Sequence, residues 1–186
     1  MGTTHNFDNP SASAIAAADT FPLIDATTGR GKTGTIQQAF AASPGVVDTT
    51  ATVLALTAAA HANRTVTISS TVPIAITLPA SAGTGHRYRL NIRVAATTTG
   101  HTIKVANTTD VMSGLVLGHT TLSTTVGSVI GSKATATADT ITVNGTTQGG
   151  VVGDIIELTD IKTGFWEVAM RTAPTGTVAT PFSATV

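Results

Sequence analysis

The chain has 186 residues, of which 41% are hydrophobic, only 4% aromatic and 11% charged; its formal net charge is zero and it contains no cysteine. That length suits one main domain with a real core. Zero net charge gives no whole-chain attraction to nucleic acid or acidic membranes, and the missing thiols exclude disulfides, a thiolate nucleophile and cysteine-based metal sites.

Residues 1–48 read as an arm. The first residues lack the basic region and apolar core of a signal peptide, and no apolar run reaches the ~18 residues of a membrane span, so synthesis and use in a cytosol are expected. The segment mixes Asp8, Asp19, Asp25 and Asp48 with Arg30 and Lys32, a small-residue run from Ser11 to Ala18, and turn formers at Pro10, Pro22, Gly29, Gly31 and Gly34. It also carries Phe7, Phe21, Leu23, Ile24, Ile36 and Phe40, too many large apolar groups for a solvated tail. Of these, Phe7, Phe21, Leu23, Ile24 and Phe40 are candidate assembly contacts. Ala26 to Thr33 fits a relaxed phosphate-binding loop with Ala in place of the first Gly, but such a loop needs a parallel sheet flanked by helices. A Gly-rich turn is the expectation. Thr35 to Ala42 places Ile36, Ala39 and Phe40 on one side at helical spacing and is stopped by Pro44-Gly45, which predicts one short helix.

Residues 49–186 read as a β-domain. Threonine fills about a fifth of the chain, and Thr and Val favour strands because branched β-carbons fit a pleated surface. From Thr52 onward the pattern has period two. In His86 to Val94, Tyr88, Leu90, Ile92 and Val94 alternate with Arg87, Asn91, Arg89 and Arg93, so a half-buried strand with a basic outer face is predicted. Shorter runs at 64–69, 72–78, 102–105, 111–117, 140–143, 151–158 and 165–170 are separated by Gly, Asn, Asp or Pro clusters. Such spacing predicts an all-β fold, an antiparallel sandwich or small barrel. Asp160 to Gly164 reads as a hairpin loop.

Few groups suggest chemistry. The five histidines, at 5, 61, 86, 101 and 119, never fall at zinc-motif spacing. Asp154, Glu157 and Asp160 suggest a carboxylate pair, but the odd offset of 154 and 157 sends them to opposite faces of a strand, so the three read as marking a strand's ends and outer face; no Gly-x-Ser-x-Gly elbow exists for a triad. No enzyme, cofactor or metal is expected. Asn63-Arg-Thr, Asn107-Thr-Thr and Asn144-Gly-Thr match the glycosylation pattern but read as turns. Arg87, Arg89 and Arg93 put three of the ten cationic residues on one strand face. They are candidate contacts for an acidic neighbouring protein, not for nucleic acid, because no aromatic residues interleave with them.

Ile76 to Gly85 with Tyr88, His101 to Asn107, and Asp110-Val-Met112 together resemble a family of small virion surface proteins of tailed bacteriophages. The likeness continues through Asn144 to Gly150, Gly153-Asp154-x-Ile156-Glu157-Leu158, Gly164-x-Trp166 and Thr180 to Ser183, and so spans most of residues 70–186. This resemblance implies a capsid decoration or head-fibre protein, commonly a homotrimer, that is partnered by itself and by the major capsid protein, located on the virion and without catalytic residues. The alternative is a tail or head-fibre module, or an adhesive carbohydrate-binding one, which would need exposed aromatic platforms.

Overall fold

A computed structural model describes residues 20–24, 31–35, 45–97, 99–120 and 128–186. The chain divides into two compact units, Met1–Ser43 and Pro44–Val186. In the first, strands β1 (Thr20–Ile24) and β2 (Gly31–Thr35) pair antiparallel. The helix predicted over 35–42 lies outside the described residues except for Thr35, which ends β2.

The second unit is the expected all-β sandwich. Its strands are β3 (Val46–Thr49), β4 (Val53–Ala55), β5 (Arg64–Ser69), β6 (Ala75–Thr77), β7 (Arg87–Val94) and β8 (His101–Lys104). They are followed by β9 (Val111–Thr120), β10 (Ser128–Lys133), β11 (Thr140–Val143), β12 (Ile155–Lys162), β13 (Phe165–Thr172) and β14 (Phe182–Ser183). A seven-stranded sheet has the order β10-β9-β13-β12-β7-β5-β3 and a five-stranded sheet the order β14-β11-β8-β6-β4. Strand β3 thus belongs to the large sheet, although the sequence reading placed residues 46–48 in the arm.

The expectation of purely antiparallel pairing is corrected: both sheets are mixed. From β3 to β8 the chain alternates between the sheets. Each pass lays its strand parallel to the previous one, so β3, β5 and β7 stack in one sheet and β4, β6 and β8 in the other. These are three coils of a short two-sheet winding. Its interior is a ladder of aliphatic side chains, Val47 against Val66 against Leu90 on one wall and Leu54 against Ile76 against Ile103 on the other. The later strands close the sandwich with antiparallel pairs of β12 with β7 and β13, β11 with β8 and β14, and β10 with β9, plus one more parallel pair, β13 with β9.

Inward side chains from both sheets form one hydrophobic cluster, as period-two alternation requires. Its largest members are Trp166 and Tyr88, 0% and 1% exposed, which meet edge to face with ring centroids 5.7 Å apart. Burial, and then the charge of Asp160, push the Tyr88 phenol up from its ordinary pKa. A single-turn helix, α1 (Ala58–His61), joins β4 to β5 in a stretch without helical patterning. Thr57 caps it by accepting the Ala60 N–H, and the buried His61 accepts the Thr57 N–H on Nδ1 at 3.0 Å.

His101 opens β8 in the core, 0% exposed, with Nδ1 accepting the Ile74 N–H at 3.1 Å. Burial holds its pKa below the ordinary histidine value, against a smaller opposing contribution from the Val94 backbone. The unfolded chain therefore binds this proton more tightly than the folded one. Stability is complete above the unfolded pKa of ~6.5 and declines as pH falls below it. Thermal melts of the wild type are expected to slope downward from about pH 6.5 toward 5.5, whereas His101→Gln, which keeps an acceptor but cannot titrate, should melt lower at pH 7.5 and show a flat profile. An equal slope in both proteins would place the titrating group elsewhere.

Candidate functional site

The carboxylates are the first place to look for chemistry, and the fold uses the buried ones as backbone staples. Asp154 accepts N–H bonds from Gly150 (2.8 Å), Val151 (3.2 Å) and Ala173 (2.9 Å), and a hydroxyl bond from Thr172. Asp160 accepts the amides of Ala82 (3.0 Å), Gly83 (2.8 Å) and Thr84 (3.0 Å) and the Thr84 hydroxyl (2.7 Å). Burial alone would raise the Asp160 pKa, but the Thr84 hydroxyl and these amides hold it below the ordinary carboxylate value. Asp110 accepts the Ser81 N–H at 2.8 Å, and the Ser81 hydroxyl accepts the Gly164 N–H at 2.7 Å. Asn107 and Asn144 accept local amides in Asx turns, as their turn reading anticipated. Asp154 and Asp160 are therefore interior residues, and the expectation that they mark a strand's outer face is corrected. Among the described residues, no three His, Asp or Glu side chains converge as a metal cluster would.

The segment 26–33 is likewise not a phosphate cradle in its described part. Lys32 and Gly31 pair with Leu23 and Ile24 in the β1–β2 ladder, so extended backbone stands where a phosphate-binding loop would open a helix. Residues 26–30 lie outside the described residues, as do Phe7 and Phe40; Phe21, Leu23 and Ile24 fall in β1.

The outer face of the large sheet remains as the candidate surface. On β7, Arg87 and Arg93 are exposed and Arg89 half-buried, while Tyr88, Leu90 and Ile92 point into the core, as alternation predicts. The structure divides these three arginines. Arg89 and Arg171 both reach Glu157, at 3.5 and 3.7 Å, because register sets Glu157 opposite Arg89 on one side and Ala169, two residues from Arg171, on the other. Arg93 contributes to the field at Asp48, whose carboxyl is held below its ordinary pKa by the hydroxyls of Ser69 and then Thr67, both at 2.5 Å. Arg87 lines, together with Arg89, Glu157, Thr159 and Glu167, an open groove of about 500 Å3 on this face. Parallel pairing of β5 with β7 sets Thr65 beside Arg89 on this face and Arg64 opposite inward-facing Tyr88, and nothing in the local pattern of either strand signals that partnership.

Toward the other edge the same face is apolar. Leu115 and Leu117 of β9 are 55% and 57% exposed, Leu115 beside exposed Ala169 of β13 and Leu117 beside Arg171; exposed Phe165 lies further along β13, past Glu167. Lone exposed aliphatics are ordinary; adjoining ones such as Leu115, Leu117 and Ala169 on one sheet face are what protein contacts use. Comparison with protein-family models, curated proteins and solved structures finds no match.

Proposed function

We propose that the chain is a non-enzymatic structural protein of a tailed-phage virion, a decoration protein that binds the outer surface of the head and stabilises it. The observation that carries this reading is the outer face of the large sheet, where Leu115, Leu117, Phe165 and Ala169 are exposed beside an arginine-lined groove. That combination suits a protein partner: an apolar area to bury, flanked by charges that set orientation. The buried carboxylates support it from the other side, since their oxygens are already spent on backbone amides. The aromatic platform an adhesive sugar-binding module needs is also missing from Tyr88 and Trp166, which are packed against each other in the core.

Each leucine side chain transferred fully from water contributes ~1.5–3 kcal/mol. The double variant Leu115→Glu/Leu117→Glu changes only exposed positions and is expected to stay folded by circular dichroism. Particles lacking the protein, incubated with the wild type and then purified, should carry it at hundreds of copies by quantitative mass spectrometry, while the variant should be depleted at least roughly tenfold. Equal occupancy by both proteins would remove this face from the contact, and no occupancy by the wild type would end the decoration reading.

A further inference from the structure

The winding of β3 to β8 stops at its first coil with both sheets uncovered. Strand β3 is the edge of the large sheet and β4 the edge of the small one, and among the described residues no strand pairs with the free side of either. Within the coils, Val66, Leu90, Ile76 and Ile103 are 0% exposed, whereas the end rung, Val47 and Leu54, is only half-buried. The core is open at this end. On its rims Val46 and Val53 are each 69% exposed. A parallel ladder bonds alternate residues of a strand to a given neighbour. The Gly45 carbonyl accepts the Thr65 N–H and the Thr52 carbonyl the Ala75 N–H, so the backbone groups of Val46 and Asp48, and of Val53 and Ala55, point out along the free edges. Monomeric proteins blunt such edges with Lys, Pro or a bulge. Neither strand has any of these, and the Asp48 carboxylate is taken up by the hydroxyls of Thr67 and Ser69 in its own sheet.

We infer that this end seats the same end of a second copy of the chain. Two sheet edges face each other across the open core, so a single added strand would cover one and leave the other bare, while another two-sheet end covers both. A twofold axis perpendicular to the sheets sets β3 antiparallel to its own mate and β4 antiparallel to its own. The free backbone groups fix the register. With Val47 opposite Val47, the outward groups of Val46 meet those of Asp48 in the second copy, which places hydrogen-bonded pairs on both sides of a close, non-hydrogen-bonded one. The same parity centres β4 on Leu54. Val47 and Leu54 then pack on their counterparts and close the core, and Asp48 faces Val46; a slide of the register that set Asp48 against Asp48 would oppose like charges. Zero net charge offers no long-range repulsion to this self-association. The contact goes beyond the decoration reading and leaves its surface free, because Leu115 and Leu117 lie on β9, toward the opposite edge of the large sheet.

Sedimentation equilibrium of the full chain over a wide concentration range is expected to show monomer in equilibrium with dimer. Val46→Pro/Val53→Pro removes two outward N–H donors from each copy without touching a bond inside either sheet, so circular dichroism should be unchanged and dimerisation roughly tenfold weaker or more. Leu115→Glu/Leu117→Glu should dimerise like the wild type. Because the chain has no cysteine, a Val47→Cys protein can form a disulfide only with a second copy. A non-hydrogen-bonded pair holds its Cα atoms ~4.5 Å apart, within disulfide range. Val47→Cys should therefore oxidise to a covalent dimer at least roughly tenfold faster than Leu115→Cys, which reports random collision. This second assay decides the matter if the proline variant unfolds. A chain that stays monomeric, a trimer, a dimer untouched by the folded proline variant, or a Val47→Cys protein that oxidises no faster than Leu115→Cys each overturns the contact.

Discussion

Asp160→Ala is expected to destabilise the β-domain by about 3 kcal/mol or more, seen as a fall in melting temperature of roughly 10 °C. The carboxylate is 3% exposed and receives three amides and one hydroxyl from residues 82–84. Alanine would leave those donors facing a hole without an acceptor, and each buried orphan costs about 1–3 kcal/mol. The neighbouring contacts cannot take over. The bond from the Gly85 N–H to the Asp160 carbonyl and the bridge between Ala82 and Thr163 fix the loop where it is. Asp160→Asn, which keeps one acceptor oxygen but turns an amino group toward the donors, should lose an intermediate amount. There is a pH signature as well. Because folding lowers this carboxyl's pKa, its contribution is present above the unfolded value of ~3.9 and is lost as pH falls through the folded one. The alanine variant should therefore lose less stability than the wild type between neutral and strongly acidic pH. Chemical denaturation at pH 7 and at pH 3 measures both quantities, and a variant as stable as the wild type at pH 7 would remove the staple role.

Gly114→Ala is expected to be at least as damaging, and Gly114→Val to abolish soluble expression. Gly114 lies on β9 opposite Val168 of β13. A β-carbon there would sit 1.8 Å from the Val168 carbonyl oxygen and 2.7 Å from its carbon. The obstacle is backbone, not a side chain that can swing away, and β13 is held from its other side by β12. Relief requires the parallel pair to separate, at the cost of ladder bonds in the middle of the large sheet. Overpacking a well-filled core costs about 1–3 kcal/mol even when side chains can adjust, and here they cannot. Gly131→Ala is the control: on β10 its β-carbon would meet only the Val116 carbonyl oxygen at 3.8 Å, an ordinary contact, so its effect should stay within about 0.5 kcal/mol. Comparable melting temperatures for the Gly114→Ala and Gly131→Ala proteins would refute the close-approach account.

The same kind of bonding gives the short polar motifs along residues 70–186 a structural use. Ser81, Gly83 and Thr84 form the loop that Asp110 and Asp160 hold, Asn144 and Gly150 form the loop secured by Asx bonding and Asp154, and Gly164 donates to Ser81 in a left-handed hairpin position. With few charged residues in the chain, the fold spends several of its acids on satisfying loop amides, and the motif residues are those that receive or supply these bonds.

Alternation of apolar and polar residues by itself determined the all-β class, the inward set Tyr88, Leu90 and Ile92, and the hairpin around Gly164, because a strand's two faces are written in consecutive side chains. Strand ends were less legible: β12 starts at Ile155, not Val151, since Gly153 and the Asp154 staple fold 150–154 into a turn. Only the tertiary structure decided which strand lies beside which. Alternation says which way a side chain points but carries no label for its neighbour, so the parallel coils β3-β5-β7 and β4-β6-β8, the placing of Thr65 beside Arg89 and the diversion of Arg89 to Glu157 all depend on pairing register across distant segments. The same holds for Asp154 and Asp160. An acid at a strand end reads as solvated until the loop whose amides it binds is in place, and those amides come, for Asp160, from residues more than seventy positions away.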